Sequence, residues 1–379
     1  MTSWKTYKLG DVVNILDNRR IPLSAREREQ RHGEYPYYGA QGIIDYVDEY
    51  LFDGTYLLIA EDGENLRSKK QNIAQLVSGK YWVNNHAHIL ESNGLCDIRY
   101  ICYLLNIIDI SGYITGSAQP KLNQANLLAI SISLPPLEEQ RRIAGILSAI
   151  DDKIENNRRI NANLESQAQA LYKQWFVDFE FPNEDGKPYK SSGGKMVDSE
   201  LGQIPEGWRM QTFGDLIKPQ KGKNITRAQV TIGSVPVVAG GLMPSCYHNT
   251  SNTHCPVVTI SASGANAGYV KMYHMPIWAA DCSYIDDTIS KYVHFAYVFL
   301  TYNQTSIYHK QQGCAQPHIY PSHLMELQFI CPTLDILDKF ESWSKKIYKL
   351  IGTNIQEIET LATLRDTLLP KLMNGKVKL

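Results

Sequence analysis

A repeated stretch is the sequence feature that most constrains the fold of this chain. Residues 116–120 read Gly-Ser-Ala-Gln-Pro, and residues 313–317, which lie 197 positions later, read Gly-Cys-Ala-Gln-Pro. Matched residues continue at this offset without a gap: Pro135 and Pro332, Leu137 and Leu334, Leu164 and Leu361, Leu171 and Leu368. One offset held over about fifty residues indicates a single structural module written twice.

The stretch that begins at residue 137 has the spacing of a coiled-coil helix. Apolar residues and asparagines alternate four and three positions apart, which predicts a helix with one narrow stripe. The first stripe comprises Ile143, Leu147, Ile150, Ile154, Asn157, Asn161, Leu164, Ala168, Leu171 and Trp175. The second comprises Phe340, Ile347, Ile351, Asn354, Ile358, Leu361, Leu368 and Leu372, and Ser344 and Arg365 interrupt it. We predict long helices over residues 137–178 and 334–374.

Each of these helices needs a partner for its stripe. At 1.5 Å per residue such a helix reaches about 60 Å, which is too long for one small domain to bury. We therefore predict that the two stripes pack against each other in a coiled coil. Asn157 and Asn354 would occupy equivalent seam positions in the two copies. A polar residue in the seam fixes the register at some cost in stability. The alternative is two amphipathic helices that pack separately, each on its own domain.

The rest of the chain divides into two globular segments and one connection. Residues 1–136 and 205–333 contain short apolar or alternating runs between turn-forming residues, with helices expected near 98–108 and 291–302, and this pattern is typical of mixed α+β domains. Landmarks pair between the two segments: Trp4 with Trp208, Pro36 with Pro236, and Trp82 with Trp278. The charged, turn-rich residues 179–204 are predicted to form a surface linker.

Composition and charge exclude several classes of function. The net charge of −1 argues against a histone-like protein that binds nucleic acid by charge alone. The sequence shows no apolar run as long as a membrane span and no signal peptide, so we expect a cytoplasmic protein without a membrane partner. The seven cysteines form no C-x-x-C pair, and we expect reduced thiols.

The sequence contains no recognisable set of catalytic or metal-binding residues. The Pro-Pro pair at 135–136 is flanked by leucines, so it lacks the polar acceptor and the aromatic residue of an amino-methyltransferase motif. The Gly-Lys pair at 194–195 lacks the rest of a phosphate-binding loop. A third group has no standard zinc spacing: Cys246, His248, His254 and Cys255. We predict no catalytic residue, no metal site and no cofactor bound by this chain.

Three motifs together resemble one known family. They are Gly-x-Ala-Gln-Pro-x-Leu-Asn at 116–123, Leu-Pro-Pro-Leu-Glu-Glu-Gln-Arg-Arg-Ile-Ala at 134–144, and Leu-Gly-Gln-Ile-Pro-Glu-Gly-Trp at 201–208. With the repeat, they are similar to the specificity subunits of type I restriction–modification systems, over the whole chain. The second copy departs from the pattern, because His-Ile-Tyr at 318–320 replaces Lys-Leu-Asn and Cys-Pro-Thr-Leu-Asp at 331–335 loses the Glu-Glu-Gln element.

The resemblance implies an architecture and a function. Two target-recognition domains would be joined by two long helices that form an antiparallel coiled coil with pseudo-twofold symmetry. Each domain would read one half of a bipartite, asymmetric site on double-stranded DNA. The helices would hold the domains apart and dock two modification (methyltransferase) subunits, with restriction (motor-nuclease) subunits added for cleavage. S-adenosylmethionine, ATP and magnesium would then bind to the partner subunits, and this chain would be non-catalytic.

The residues that would contact DNA are harder to identify from sequence. Basic and polar residues near turn signals suit phosphates or guanine edges. In the first domain the candidates are Arg19, Arg20, Tyr38, Lys69, Lys70, Gln119 and Lys121, and in the second they are Lys218, Lys221, Lys223, Arg227 and Gln316. Each basic residue could instead belong to a solvated loop. The two glutamines could hold their loops against the start of a helix, and Tyr38 could pack at the end of a strand.

Two other classes of function stay open on the sequence alone. One is a self-contained DNA methyltransferase or endonuclease of fused restriction type, and the missing motifs disfavour it. The other is a non-catalytic coiled-coil interaction protein, which would not explain two dissimilar globular segments on one repeated frame. S-adenosylmethionine binding by the isolated chain would identify the first class, and an absence of sequence-selective DNA binding would identify the second.

Overall fold

The structure is a computed structural model that describes residues 4–200, 202–313 and 317–376. The chain divides into two compact units: unit 1 comprises Met1–Glu155 with Glu359–Leu379, and unit 2 comprises Asn156–Ile358. Both boundaries fall inside long helices. Each unit therefore contains one globular domain and a segment of each long helix.

Unit 1 begins with a mixed α+β domain. Its strands are β1 (Lys5–Lys8), β2 (Val13–Ile15), β3 (His32–Gly39), β4 (Gly42–Val47), β5 (Phe52–Ala60), β6 (Ala74–Val83), β7 (Ala87–Ser92) and β8 (Ser131–Leu134). Its helices are α1 (Ala25–Gln30), α2 (Asn65–Ser68), α3 (Ile98–Ile107) and α4 (Gln124–Ala129), followed by the first long helix, α5 (Leu137–Tyr172).

The main sheet of unit 1 has the strand order β2-β7-β5-β6-β3-β4. β5 forms antiparallel ladders with both β6 and β7, and β3 joins the far end of β6 in parallel through Tyr37 and Trp82. α3 begins where the Asp97 carboxylate accepts backbone N–H groups of the first turn, and its Ile101 and Leu104 face the buried core under the sheet. The separate pair β1-β8 carries the chain to residue 136, next to the start of α5.

Unit 2 contains the second domain. Its strands are β9 (Met196–Ser199), β10 (Gly202–Pro205), β11 (Arg209–Thr212), β12 (Gln220–Lys221), β13 (Val235–Val238), β14 (Cys246–His248), β15 (Val257–Ser261), β16 (Val270–Tyr273), β17 (Trp278–Ala279), β18 (Cys282–Asp286) and β19 (Gln328–Cys331). Its helices are α6 (Phe213–Leu216), α7 (Val293–Tyr302), α8 (Gln304–His309) and α9 (Pro321–Met325), followed by the second long helix, α10 (Leu334–Met373).

The strands of unit 2 repeat the topology of unit 1. The order β12-β18-β15-β16 matches β2-β7-β5-β6, and β11-β19 matches β1-β8. β13 pairs with β17 in parallel through Val237 and Trp278, as β3 pairs with β6 through Tyr37 and Trp82. Residues 274–277 separate β16 from β17, where unit 1 has one continuous strand. The predicted α+β class is confirmed, and the two copies of the module share one strand arrangement.

The long helices begin where the sequence stops a strand. Pro135 and Pro136 follow β8 and supply no backbone N–H, so the ladder ends there. The Gln140 side chain donates to the Pro135 carbonyl at 2.9 Å and accepts the Asp97 amide at 3.0 Å, which ties the first turn of α5 to α3. Glu138 and Glu139 lie in that first turn, where negative charge suits the helix dipole. The predicted range 137–178 corresponds to α5 and a π-helical turn over Lys173–Val177.

The apolar stripes of α5 and α10 face each other in both units. In unit 1, Ile143 and Leu147 of α5 share one core with Leu368 and Leu372 of α10. In unit 2, Leu164 and Leu171 of α5 share another core with α10 residues Phe340, Ile347 and Ile351. The other predicted seam residues are buried or half-buried: Ile150, Ile154, Asn157, Asn161, Ala168, Trp175, Asn354, Ile358 and Leu361. The helices therefore pack on each other within each unit, and they pack on its domain as well.

Polar contacts define the direction of the helix pair in unit 2. Asn157 donates to Glu357 at 2.7 Å, Asn354 donates to the Asn161 side chain at 2.8 Å, and Tyr348 donates to Glu165 at 2.9 Å. Residue numbers rise along α5 as they fall along α10, so the pairing is antiparallel. Both predicted seam asparagines are buried and hydrogen-bonded across the pair.

The two polar residues that interrupt the second apolar stripe also lie in the seam. Ser344 is fully buried. Its hydroxyl donates to the Phe340 carbonyl one turn earlier at 2.8 Å, so the hydroxyl has a hydrogen-bond partner within its own helix. Arg365 is half-buried and pairs with Asp151 of α5 at 2.8 Å. Tyr348, which the stripe pattern omitted, is also fully buried. Polar side chains belong to this seam because each finds a partner in it.

The segment predicted as a surface linker, residues 179–204, contains more structure than a linker. β9 and β10 form a hairpin within it. Phe181 is buried and stacks between Tyr189 and Trp208, with ring centroids 4.5 and 4.8 Å apart. Burial of such an aromatic side chain stabilises the segment against the second domain.

Among the described helices, none combines the length and the apolar character that crossing a bilayer requires.

Candidate nucleic-acid interface

The repeated Gly-x-Ala-Gln-Pro stretch forms a closed loop in unit 1. Thr115 and Lys121 exchange backbone hydrogen bonds, each 2.8 Å long, at the base of this loop. Gly116 has φ = +82°, and a Cβ atom there would lie 2.2 Å from the Gln119 carbonyl oxygen. Only glycine fits both the backbone conformation and the close approach. The motif therefore encodes a tight loop.

Two backbone hydrogen bonds fasten this loop to the end of β5. Gly63 donates to the Pro120 carbonyl at 3.1 Å, and Leu122 donates to the Glu61 carbonyl at 2.8 Å. These contacts place the loop beside the turn that follows the strand.

The loop of unit 2 is fastened in the same way. Gly264 donates to the Pro317 carbonyl at 3.1 Å, and Ile319 donates to the Ala262 carbonyl at 2.9 Å. Gln312 and His318 form the bridge that corresponds to Thr115 and Lys121. Gln316 was predicted to contact DNA, but residues 314–316 lie outside the described residues. The flanking hydrogen bonds nevertheless show that each copy anchors its loop at the end of the corresponding strand, β5 in unit 1 and β15 in unit 2.

Other loops converge on each anchored loop. In unit 1, Arg67 donates to the carbonyls of Gly116 and Ser117, and the His86 ring lies 2.6 Å from the Asp62 carboxylate. We name residues 61–67, 84–86 and 116–121 loop cluster 1.

The corresponding segments meet in unit 2. Ala262 donates to the Asp281 carbonyl at 3.1 Å, and the Ser263 hydroxyl donates to the Asp281 carboxylate. We name residues 261–266, 280–281, 311–313 and 317–318 loop cluster 2.

A half-buried network of charges supports loop cluster 1. Arg20 lies 3.2 Å from Asp17 and 2.8 Å from Glu61, and Lys121 lies 3.2 Å from the second oxygen of Glu61. Burial alone would raise the pKa of Glu61, but the Arg20 and Lys121 hydrogen bonds and the nearby His88 ring hold that pKa below its usual value. Glu61 is therefore an anion that fixes two cations at the edge of the cluster.

Asp17, Glu61 and His88 have a spacing that a metal ion could use, since their ligand atoms lie within 4.8 Å of one another. The arrangement is already satisfied without one. Both ring nitrogens of His88 already have oxygen partners, at 2.5 Å from Asp17 and 2.7 Å from the Leu122 carbonyl. The Arg20 guanidinium provides the positive charge between the carboxylates. These residues fit an ion-pair network better than a metal site.

Loop cluster 2 has different chemistry on the same frame. The strand register places Ala262 where unit 1 has Glu61, and Ser283 where it has His88. His318 replaces Lys121 at the bridge, and its ring stacks on Tyr320 with centroids 6.0 Å apart. Backbone anchoring is thus shared between the two clusters, while the side chains around it are not.

The structure distributes the first domain's predicted DNA contacts over three places. Loop cluster 1 contains Gln119 and Lys121. Arg20 pairs with Glu61, the same carboxylate that Lys121 contacts. Lys69 and Lys70 are exposed at the end of α2, where Lys69 donates to the Ile108 carbonyl at 2.7 Å. The remaining two, Arg19 and Tyr38, pack on an aromatic cluster: the Arg19 guanidinium lies 4.7 Å from the Phe52 ring centre, and Tyr38 packs edge-on against Tyr81.

The second domain's basic candidates lie along one exposed segment. Lys218 follows α6, Lys221 pairs with Ser283 in the ladder of β12 and β18, and Arg227 begins a short 3-10 helix. The Lys223 carbonyl accepts the indole N–H of Trp278 at 2.8 Å, which fixes the backbone and leaves the ammonium group exposed.

Sequence reasoning missed two polar residues of loop cluster 1, Arg67 and His86. Arg67 lies on α2, 50 positions before the Ser117 carbonyl that it contacts, so no local signal connects them. His86 follows the Asn84-Asn85 pair that ends β6, and this turn signal could have identified it. Both side chains are solvent-accessible, and a ligand could reach them.

Comparison with known proteins finds one family model and several full-length relatives that resemble this chain. Residues 1–166 match the family described as Type I restriction modification DNA specificity domain. The specificity subunit of type I restriction enzyme MjaIX from Methanocaldococcus jannaschii is 26% identical over 414 residues, covering 99% of this chain and 94% of that protein. The specificity subunit of type I restriction enzyme HindI from Haemophilus influenzae is 22% identical over 481 residues, covering 100% of both chains.

The fold has a counterpart among solved structures. The crystal structure of the S subunit of a type I restriction–modification system from M. genitalium gives a TM-score of 0.65 and covers 98% of this chain and 96% of that one. Sequence identity is 16%, so this likeness concerns the fold alone. Residues 1–166 thus match the specificity-domain family, and over its whole length the chain is similar to specificity subunits of type I restriction enzymes.

Proposed function

We propose that this chain is the DNA sequence-recognition subunit of a type I restriction–modification complex, and that it catalyses no reaction itself. Loop cluster 1 would read one half of a bipartite, asymmetric site on double-stranded DNA, and loop cluster 2 would read the other half.

One observation carries this proposal. The same pair of backbone hydrogen bonds fastens the loop of each domain, yet Glu61 and Lys121 of the first domain correspond to Ala262 and His318 of the second. A shared frame with exchanged side chains is what two readers of different sequences require, because base edges are distinguished by side-chain donors and acceptors.

The side chains of the clusters suit a division of labour on DNA. In cluster 1, His86 and Gln119 are exposed polar groups that can address base edges, while Arg67 positions the loop. The exposed lysines and arginine at 69–70 and 218–227 suit phosphate contacts, which orient a protein without specifying sequence. A net charge of −1 fits this division if partner subunits share the attraction to phosphate.

Partners complete the proposed complex. Two modification subunits would dock on α5 and α10, and restriction subunits would join them for cleavage. S-adenosylmethionine, ATP and magnesium would bind to those partners, and this chain would bind none of them.

The decisive experiment assigns each cluster to one half of the methylated motif. His86→Ala and Gln119→Ala in cluster 1, and His318→Ala in cluster 2, are expressed with the modification subunits, and the methylated motif is determined by sequencing the modified host DNA. We expect cluster 1 variants to relax or abolish recognition in one half only, and the cluster 2 variant to affect the other half only.

Matched histidine controls accompany these variants. His32→Ala in the first domain and His254→Ala in the second remove exposed histidines outside the clusters, and both should leave the motif unchanged. A cluster 1 variant that altered both halves would contradict the assignment. Binding of S-adenosylmethionine by the isolated chain, measured by calorimetry, would instead support a self-contained methyltransferase.

A further inference from the structure

The two long helices are copies of one module, so their seam raises the question of how each helix finds the other and not a second copy of itself. Positions that carry the same residue in both copies cannot make this choice. Such identical positions form much of the seam: Ile150 and Ile347, Ile154 and Ile351, Asn157 and Asn354, Leu164 and Leu361, Leu171 and Leu368. Any discrimination must come from seam positions where the copies differ.

The largest difference in charge and volume occurs at one layer. In unit 1, Asp151 of α5 pairs with Arg365 of α10 at 2.8 Å. The repeat offset of 197 residues relates residue 151 to Tyr348 of α10, and relates Arg365 to Ala168 of α5. Unit 2 therefore contains the equivalent layer with Tyr348 and Ala168 in place of the acid and the base. Both are fully buried in one core.

Each layer is complementary within itself. Asp151 accepts hydrogen bonds from Arg365 and, at 2.5 Å, from the Tyr103 hydroxyl of α3, so its charge is compensated. In the unit 2 layer, the small Ala168 leaves room for the large Tyr348 ring, whose hydroxyl reaches Glu165 one turn before Ala168 at 2.9 Å. Charge complementarity serves one layer, and size complementarity serves the other.

We propose that these two layers form a pairing code that directs α5 to α10 and away from a second copy of this chain. If α5 paired with α5 of another copy in the same register, Asp151 would face Ala168 and its carboxylate would lose the cation. If α10 paired with α10, Tyr348 would face Arg365, which places two large side chains in one layer, with Asp366 of the same helix as the remaining ion-pair partner of Arg365. Both mismatches cost free energy, through a partly buried unpaired charge in the first case and overpacking in the second.

Point variants of the full chain can recreate each mismatch in unit 1. Arg365→Ala produces the acid–alanine layer of an α5–α5 pair, and Asp151→Tyr produces the tyrosine–arginine layer of an α10–α10 pair. The double variant Asp151→Tyr/Arg365→Ala carries the tyrosine and the alanine of the unit 2 layer, with Ala362 at the position that corresponds to Glu165. We expect each single change to lower the melting temperature by about 2–6 °C and the double change to recover most of that loss. A double variant whose loss equals the sum of the single losses would overturn the code.

The Tyr103 hydroxyl requires its own control, because every change at residue 151 removes its acceptor. The same cycle is therefore repeated in a Tyr103→Phe background. Recovery in the double variant must persist there if the two seam positions are responsible.

The double variant also tests selectivity directly. Its two helices are alike at this layer, so pairing with a second copy is no longer penalised there although pairing within the chain is retained. Full-length chains with two different affinity tags are mixed in urea, refolded together and purified through one tag. We expect the second tag to co-purify several-fold more with the double variant than with the wild type. Arg365→Lys, which keeps the charge pair, should stay at the wild-type level, and equal co-purification of all three proteins would refute the proposal.

Discussion

His274 is a residue whose surroundings make the stability of unit 2 depend on pH. Its ring packs against Gly352 of α10, in a small cavity that His294 also lines. Burial, with a smaller effect from the charge of His294, lowers the pKa of His274 from 6.5 to about 4. The neutral ring is therefore the form that the folded unit accepts.

Linkage gives the direction of the effect. The unfolded chain binds a proton near pH 6.5, whereas the folded chain binds it only near pH 4, so this contribution is complete above pH 6.5 and is lost as pH falls toward 4. We expect His274→Asn to show a smaller loss of the free energy of unfolding between pH 7 and 4.5 than the wild type, as measured by urea denaturation. His309→Asn, which changes an exposed histidine, should keep the wild-type pH dependence.

Individual side chains were the least predictable part of the candidate site. The basic residues Arg20 and Lys121 were recognised as candidates because they lie near turn signals, and both lie at loop cluster 1. Their carboxylate partner Glu61 was not anticipated, because Glu61 comes from another strand and only the ladder register brings it near Arg20. Local spacing carries no information about such a neighbour.

At the scale of the element, α10 depends on a glycine that its helical pattern does not explain. A Cβ atom at Gly352 would lie 2.8 Å from the His274 ring, whereas a Cβ atom at Gly145 of α5 would have no neighbour within 4 Å. Gly352 is therefore a packing requirement, and Gly145 is not.

These two glycines give a matched pair of variants. Gly352→Ala should destabilise the protein by about 1–3 kcal/mol through overpacking, even though alanine favours the helix. Gly145→Ala should stabilise it by up to about 1 kcal/mol, because it gains helix propensity without a clash. Thermal unfolding of the full chain measures both. If Gly352→Ala stabilised the protein, it would show that the His274 ring can move aside at little cost in free energy.

The long helices were predictable because the alternating spacing of their stripes is a local property. The sequence pattern identified the buried faces, including both asparagines. It could not place Ser344, Tyr348 or Arg365 in the seam, because each of these polar side chains is acceptable there only through a specific partner. The local spacing thus predicts the apolar seam positions of a helix, whereas its polar seam positions depend on partners in the tertiary structure.

At the scale of the whole molecule, the duplicated frame makes each domain an exchangeable reader. The exchange point suggested by the structure is Gly116, because the closed loop that begins there is fastened in the same way in both units. Replacing residues 1–115 with the equivalent segment of a related specificity subunit should change one half of the methylated motif and preserve the other. Sequencing of methylated host DNA is the measurement, and a change in both halves would contradict the independence of the two readers.

The repeat predicted the number and class of the domains, but it did not predict their internal differences. Unit 1 has one continuous β6, whereas unit 2 interrupts the corresponding strand at residues 274–277. Pro276 lies in that gap and cannot donate to a ladder, which is a physical reason for the break. An offset between matched residues shows only what the two copies share. The parts in which the copies differ could be found only from the structure.

The ends of the described chain meet within unit 1. The Trp4 ring lies 3.2 Å from the place where a Cβ atom of Gly375 would be, close to the core that Leu9 shares with Leu372. A short connector could therefore join these two ends without disturbing either strand or helix. New termini could be opened in the exposed turn at Asp185 and Gly186. The resulting circular permutant would begin with the second domain and end with α5, and we expect it to fold with the two domains in reversed linear order.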